Sequence, residues 1–273
     1  MIHLIGSEGF IGQAIKREAS DIKVQSWSHQ TRRDNKHFFD ILDQSSWSNL
    51  IDSQPKTAIL LSWPGLPNYQ QSFHIVRNLP ASIQLIEKLI SNGLQRLVVA
   101  GTCYEYGLQN GQLREDQLTD PVNLYAIAKD TLRRTVSTLC DRAGVQWCWL
   151  RIFYPYGQGQ NPNSLLPSLE RAVMQGEPSF PMSSGRQIRD FIPVEETARQ
   201  LLLLATHPQA KGIYNGGSGK ARSLREIVEA RLTELGGSLS LQRGTYADRE
   251  DEPLAFWADM SRLNILNRNH LSF

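Results

Sequence analysis

Residues 2–5 form a short apolar run that stops at Gly6-x-x-Gly9-x-x-Gly12, and residues 11–19 then carry apolar side chains at helical spacing among good helix formers. Strand, glycine turn and helix in this order restrict the fold more than any other feature, because they open a βαβ unit and such units build parallel sheets with right-handed crossovers. Each glycine has a mechanical use. Gly6 turns the chain, Gly9 lets backbone amides approach a pyrophosphate, and Gly12 lets helix pack on strand. Phe10 and Ile11, at the start of the helix, are further candidate cofactor contacts. A plain tight turn would use the same residue types, so the rest of the chain has to decide between the two.

The pattern continues. Strands at residues 22–27, 57–62, 96–100 and 146–152 alternate with helices at 44–51, 70–92 and from 124 to about 142, and residues 37–39 suggest a further short strand. The expected architecture is α/β: a Rossmann-type doubly wound parallel sheet over residues 1–152 with a smaller C-terminal substrate lobe over residues 153–273, a segment near 186–215 returning to the sheet. Beyond Gly157 the alternation yields to a loop rich in Pro, Asn and Gly. Helices follow at 165–175, 195–206 and 223–236, with a strand beginning at Gly212.

With 273 residues the chain can bury a large core, and a net charge of +2 gives no reason to expect a nucleic acid or an acidic membrane surface as partner. Cys103, Cys140 and Cys148 are too few and scattered for a disulfide framework, and no Cys or His spacing fits a metal. The start of the chain enters a strand at once with no basic leader, and no apolar run approaches a membrane span. A soluble protein of the reducing cytoplasm is the expectation.

Strand ends carry the candidate ligand contacts. After residue 27, where a dinucleotide site places an acid for the adenosine ribose, stands Ser28, followed by Arg32 and Arg33: a hydroxyl and two guanidiniums suited to a 2′-phosphate, or else a solvated loop. Asp40, beside Ile41, could accept from an adenine amino group or serve a turn or helix cap. Ser62 and Trp63 end another strand and face the same crevice. Tyr125 and Lys129 lie four residues apart on a helix and so share a face. An ammonium beside a phenol favours the phenolate and lowers its pKa, which would let Tyr125 exchange a proton with an alcohol or ketone.

Gly6-x-x-Gly9-x-x-Gly12, Thr102 ahead of Tyr106-Gly107, Tyr125-x-x-x-Lys129 and Arg189-Asp190-Phe191 together resemble the extended short-chain dehydrogenase/reductase family that acts on nucleotide sugars, over nearly the whole chain. The resemblance implies Tyr125 as proton donor or acceptor, Lys129 as the residue that holds the nicotinamide ribose, and Thr102 as a hydrogen-bond partner of the reacting sugar oxygen. It implies Asn78 as an active-site asparagine near cofactor and substrate. Cys103, Tyr104, Tyr154 and Leu166 become substrate contacts, with Tyr154 standing where many members have asparagine. Arg189 and Arg249 would bind a diphosphate, surface ion pairs being the alternative.

Dehydratases of this family carry an acidic pair after the threonine. Here Cys103 and Tyr104 take those places, which argues against dehydration. What remains is an NADPH-linked reductase of a nucleoside-diphospho-4-keto-6-deoxysugar, a 4-epimerase with retained NAD, or a non-catalytic redox sensor on the same fold. NADP(H) is favoured by Ser28, Arg32 and Arg33, NAD(H) being the other choice, and the resemblance implies a homodimer.

Overall fold

The computed structural model describes residues 1–31, 33–248 and 252–270. Its first half runs β1 Ile2–Ile5, α1 Phe10–Glu18, β2 Val24–Trp27, α2 Ser48–Asp52, β3 Thr57–Leu60, α3 Leu79–Ser91, β4 Arg96–Thr102, β5 Gly111–Leu113, α4 Leu124–Ala143 and β6 Gln146–Ile152. The second runs β7 Tyr154–Tyr156, α5 Leu165–Met174, β8 Ser179–Met182, β9 Ile188–Pro193, α6 Val194–Thr206, β10 Gly212–Gly216, β11 Ala221–Ser223, α7 Leu224–Glu234, β12 Ser240–Arg243, β13 Phe256–Ala258 and α8 Ser261–His270.

Six strands form one parallel sheet in the order β10-β6-β4-β3-β1-β2. Adjacent residues on each strand serve opposite faces. Leu4, Ile59, Val98 and Leu150 pack with Ala14 and Ile15 of α1 and with Ala198 and Leu201 of α6. Ile5, Leu60, Val99 and Trp149 pack with Leu85 and Leu89 of α3 and with Leu132 and Val136 of α4. Burial on both faces explains why these strands are continuous apolar runs in the sequence.

The chain moves outward from β1 to β2 and returns on the other side of β1 with β3, so the carboxyl ends of β1 and β3 flank the point where strand order reverses. Gly6 sits there with φ +96°, and a Cβ on it would lie 2.8 Å from the Ser62 backbone nitrogen. A Cβ on Gly12 would lie 2.5 Å from the Gly6 carbonyl oxygen, whereas one on Gly9 would meet nothing closer than 3.5 Å. Gly6 and Gly12 therefore serve packing, and the backbone at Gly9 stays approachable.

Two expectations of secondary structure fail. Residues 37–39 make only an isolated bridge from Phe38 to Ser28, because Asn35 turns the chain by accepting the His37 amide on its side chain and the Phe38 amide on its carbonyl. The helix expected over 70–92 is shorter. A single widened turn at His74–Asn78 precedes α3, whose first turn contains Pro80, a residue without the N–H a continuous helix would need.

β7, β9 and β11 make a three-stranded sheet, β8 pairs with β12, and a separate apolar cluster that includes Leu166, Leu169, Phe180, Ile227 and Val228 fills this smaller lobe. β10 rejoins the main sheet beside β6, and β13 pairs with β5, tying the later part of the chain to the earlier. Among the described residues no helix is long and apolar enough to cross a membrane.

Candidate active site

Helix α4 starts cleanly because Asn123 caps it, its side chain accepting the Ala126 amide at 2.8 Å. That fixes Tyr125 and Lys129 on the buried side of the first two turns, 7% and 4% exposed. The Tyr125 amide donates to the Tyr69 carbonyl at 2.9 Å, and its ring packs against Trp63, Tyr69 and His74. Lys129 directs its ammonium at the Trp63 ring, 4.3 Å from the centroid, and at the Trp149 ring, 5.5 Å away.

The charge states differ from the simple expectation. Burial pushes the Tyr125 phenol above its ordinary range, with a smaller opposing pull from the Thr102 hydrogen bond. Burial lowers Lys129 to about 8, and Glu105 acts in the opposite sense. The sequence expectation that Lys129 lowers the Tyr125 pKa is thus corrected for the chain alone: burial moves the phenol upward, and the ammonium lies against indole faces. The Tyr125 phenol is therefore held in its protonated, neutral form at neutral pH.

The Lys129 value carries a stability consequence. Between pH 8 and the ordinary lysine value of 10.5 the unfolded chain binds a proton that the folded chain does not, so stability rises with pH across that window. Below it, the buried ammonium costs the fold about 3 kcal/mol. Lys129→Met is expected to remove this slope and to be the more stable protein at pH 7, as measured by denaturant unfolding at a series of pH values.

Thr102 ends β4. Its hydroxyl accepts the Tyr104 amide at 3.3 Å, which leaves the hydroxyl proton free to be donated, and the Glu105 carboxylate accepts the Thr102 amide at 2.9 Å. Glu105 was not among the sequence candidates, although Thr102-x-x-Glu105 is a capping-box signature that could have revealed it. Cys103, buried, and Tyr104, half-buried, follow, and desolvation holds thiol and phenol well above their ordinary ranges. Both stay protonated at neutral pH, and neither is the carboxyl group of a dehydratase acid pair.

The Tyr154 hydroxyl donates to the Tyr104 hydroxyl at 3.4 Å and accepts from Arg189 Nε at 3.1 Å. Arg189 also donates to the carbonyls of Ile188 and Leu254 and pairs with Glu252 at 2.9 Å, all while 2% exposed. A diphosphate at Arg189 has to displace Glu252 first. Tyr69, Tyr104, Leu108, Asn123, Glu252 and Pro253 line a cavity of about 390 Å³ beside this chain of groups. Leu166 does not reach it and lies in the core of the smaller lobe. Arg249 lies outside the described residues.

On the dinucleotide side, α1 has no side-chain cap, so its first amides are offered to an outside acceptor. Glu8, an acid inside the turn that sequence reasoning passed over, is drawn aside by Lys16 and Gln13, each at 2.5 Å. Asn78 donates to the Pro64 carbonyl at 2.8 Å, while its buried Oδ1 has no partner among the described residues. An orphaned acceptor and an uncapped helix both fit a bound dinucleotide.

Ser28 is buried and its hydroxyl accepts the Gln30 amide at 3.1 Å. Arg33 is exposed and pairs with Asp43 at 3.0 Å, and Arg32 lies outside the described residues. Asp40 accepts the Leu42 amide at 2.9 Å and so holds its own turn, while Ile41 is buried behind it; the helix cap nearby is Asp43.

Residues 2–217 match the sequence pattern of the NAD dependent epimerase/dehydratase family. The chain is 26% identical over 198 residues to the dTDP-6-deoxy-L-talose 4-dehydrogenase (NAD(+)) of Aggregatibacter actinomycetemcomitans, covering 72% of this chain and 73% of that one. It is 30% identical over 169 residues to the ADP-L-glycero-D-manno-heptose-6-epimerase of Pseudomonas paraeruginosa, an alignment spanning 58% of this chain and 50% of the epimerase. Among solved structures, MoeE5 in complex with UDP-glucuronic acid and NAD has TM-score 0.80 at 25% identity, over 97% of this chain and 91% of that one. RMD from Pseudomonas aeruginosa, complexed with NADPH, shares the fold with TM-score 0.83 at 20% identity, over 97% and 91% of the two chains. With its glycine turn at the switch point and Thr102, Tyr125 and Lys129 gathered at the strand ends beside it, the chain is an enzyme of the NAD dependent epimerase/dehydratase family.

Proposed function

We propose that this enzyme reduces the ketone of a nucleoside-diphospho-4-keto-6-deoxysugar, with NADPH as reductant. The observation that carries the reading is the Thr102, Tyr125 and Lys129 constellation with Cys103 and Tyr104, both held protonated by burial, in place of an acid pair. The relative named as a 4-dehydrogenase of a 6-deoxy sugar nucleotide supports the same carbon and the same sugar class.

The first amides of α1, with Ser28, Asn78 and Lys129, would hold the dinucleotide, whose nicotinamide supplies hydride when bound. Thr102 donates a hydrogen bond to the ketone oxygen and orients it. Tyr125 gives its proton to that oxygen as the carbon becomes tetrahedral, so the ketone gains one hydride on carbon and one proton on oxygen. Lys129 would hold the nicotinamide ribose of the bound dinucleotide and so keep the hydride donor beside the ketone. The smaller lobe and the cavity beside Tyr104 and Tyr154 take the sugar nucleotide, and α3 and α4 pair two copies in a homodimer.

Reduction with cofactor carrying deuterium at the transferred position is expected to place the label on the product's carbinol carbon, read by NMR. Interconversion of sugar stereochemistry without label transfer would establish the epimerase instead.

Cofactor choice has its own test. Arg33 forms an exposed pair with Asp43 and lies over the Phe38 ring at 5.8 Å; such an exposed pair contributes little to stability and is readily exchanged for a phosphate. Arg32→Ala with Arg33→Ala is expected to raise KM for NADPH roughly tenfold or more while leaving KM for NADH nearly unchanged. Equal loss for both cofactors identifies the two arginines as solvent groups.

A further inference from the structure

We propose that Glu105 is a positioning residue of this site: it fixes the turn that carries Thr102 and is the counter-charge for the Lys129 ammonium. This rests on the reading of Thr102, Tyr125 and Lys129 given above.

Glu105 is 0% exposed. One carboxylate oxygen accepts the Thr102 amide at 2.9 Å and the Trp149 indole N–H at 2.8 Å, and the other accepts Arg151 Nε at 2.9 Å. The close seat of Trp149 depends on Gly101, where a Cβ would lie 2.0 Å from the indole nitrogen. The carboxylate therefore holds, at once, the backbone of the threonine and the ring over which Lys129 rests. A structural ion pair with Arg151 would need only the second oxygen. The first is spent wholly on groups that touch the catalytic constellation.

Lys129 has no hydrogen bond or ion pair among the described residues, and its immediate neighbours are two indoles. Around it, His74 comes from the widened turn before α3, Glu105 from the turn after β4 and Arg151 from β6, while Tyr125, Asp130 and Arg133 lie on α4 itself. His74 is held below its ordinary range by burial, so it brings no positive charge at neutral pH. Asp130 is taken up by Arg133 and Arg134, at 2.6 and 2.7 Å. Glu87 and Lys88 of α3 are exposed, and Arg96, at the far end of β4, is bonded to the carbonyls of Leu204 and Ala210. Among the described residues Glu105 is the carboxylate that acts on the ammonium, and its sign opposes burial.

The test is a pH titration of Lys129 by ¹³Cε NMR in the full chain, its resonance assigned by its loss in Lys129→Met. The wild type is expected to titrate near 8, and Glu105→Gln to titrate about one pH unit lower. Glu105→Gln with Arg151→Met removes both members of the buried Arg151 pair, while Arg133, also near the Glu105 carboxylate, keeps Asp130, and it serves where the single variant does not fold. It is expected to show the same downward shift, since Arg151 is not among the influences on Lys129. An unchanged midpoint, with only a lower Tm, makes Glu105 a purely structural residue and overturns the proposal. Tyr125→Phe separates the two levels: retained turnover there refutes the underlying reading, while an inactive Tyr125→Phe with an unmoved Lys129 midpoint refutes only the role of Glu105.

Discussion

Tyr125→Phe is expected to lower turnover by about two to four orders of magnitude, the usual contribution of a positioned proton donor. The phenyl ring keeps every ring contact Tyr125 makes with Trp63, Tyr69 and His74, and the Tyr125 amide bond to Tyr69 belongs to the backbone. Fold and dinucleotide affinity should therefore be nearly those of the wild type, with kcat falling and KM for the cofactor holding. The neutral phenol sharpens the expectation: because burial keeps Tyr125 protonated, the residue is loaded for reduction, and only the oxygen is lost. A variant that keeps wild-type turnover places the proton donor elsewhere.

Asp190→Ala is expected to lower stability by about 3–5 kcal/mol, corresponding to a fall of roughly 10 °C in Tm. Asp190 is wholly buried at the centre of β9. One carboxylate oxygen accepts the Ser218 amide at 2.7 Å and hydroxyl at 2.6 Å; the other accepts the amides of Gly219 at 2.9 Å and Ala258 at 3.1 Å. These bonds lace the turn after β10 and the strand β13 to the smaller lobe. Alanine would leave three N–H groups without their acceptor, that of Ala258 buried and those of Ser218 and Gly219 partly buried, and the space left is small, since a Cβ on Gly217 would already lie 2.5 Å from the carboxylate. Asp116→Ala, which removes only an exposed partner of Arg114, should leave Tm unchanged and serves as the control in a thermal melt. A small loss at Asp190 would mean that the turn at 217–219 re-pairs its amides with solvent.

Much of the fold was legible because the main sheet is buried on both faces. Runs such as residues 2–5 and 146–152 stand out as apolar segments between glycine turns and helical spacing, and both strands fall where expected. The short strands were not. β5 is three residues long and pairs with β13, more than a hundred residues later, so no local pattern marks either. The 70–92 helix was overextended because spacing cannot see the loop that precedes His74.

In the site, spacing alone brought Tyr125 and Lys129 to one helical face. It could not say that both are buried, and burial rather than proximity sets their charge. For the same reason Arg189 left two readings open, a diphosphate fork or a surface ion pair, where the fold buries it against Glu252 and Tyr154.

The central claim is that the enzyme consumes NADPH while reducing a 4-keto sugar nucleotide. Its most direct test is absorbance at the reduced-nicotinamide band, with purified protein, NADPH or NADH, and a nucleoside-diphospho-4-keto-6-deoxysugar. Continuous, stoichiometric loss of the band, faster with NADPH than with NADH and absent without the sugar, is the predicted result. A flat band while the sugar's stereochemistry interconverts would contradict it.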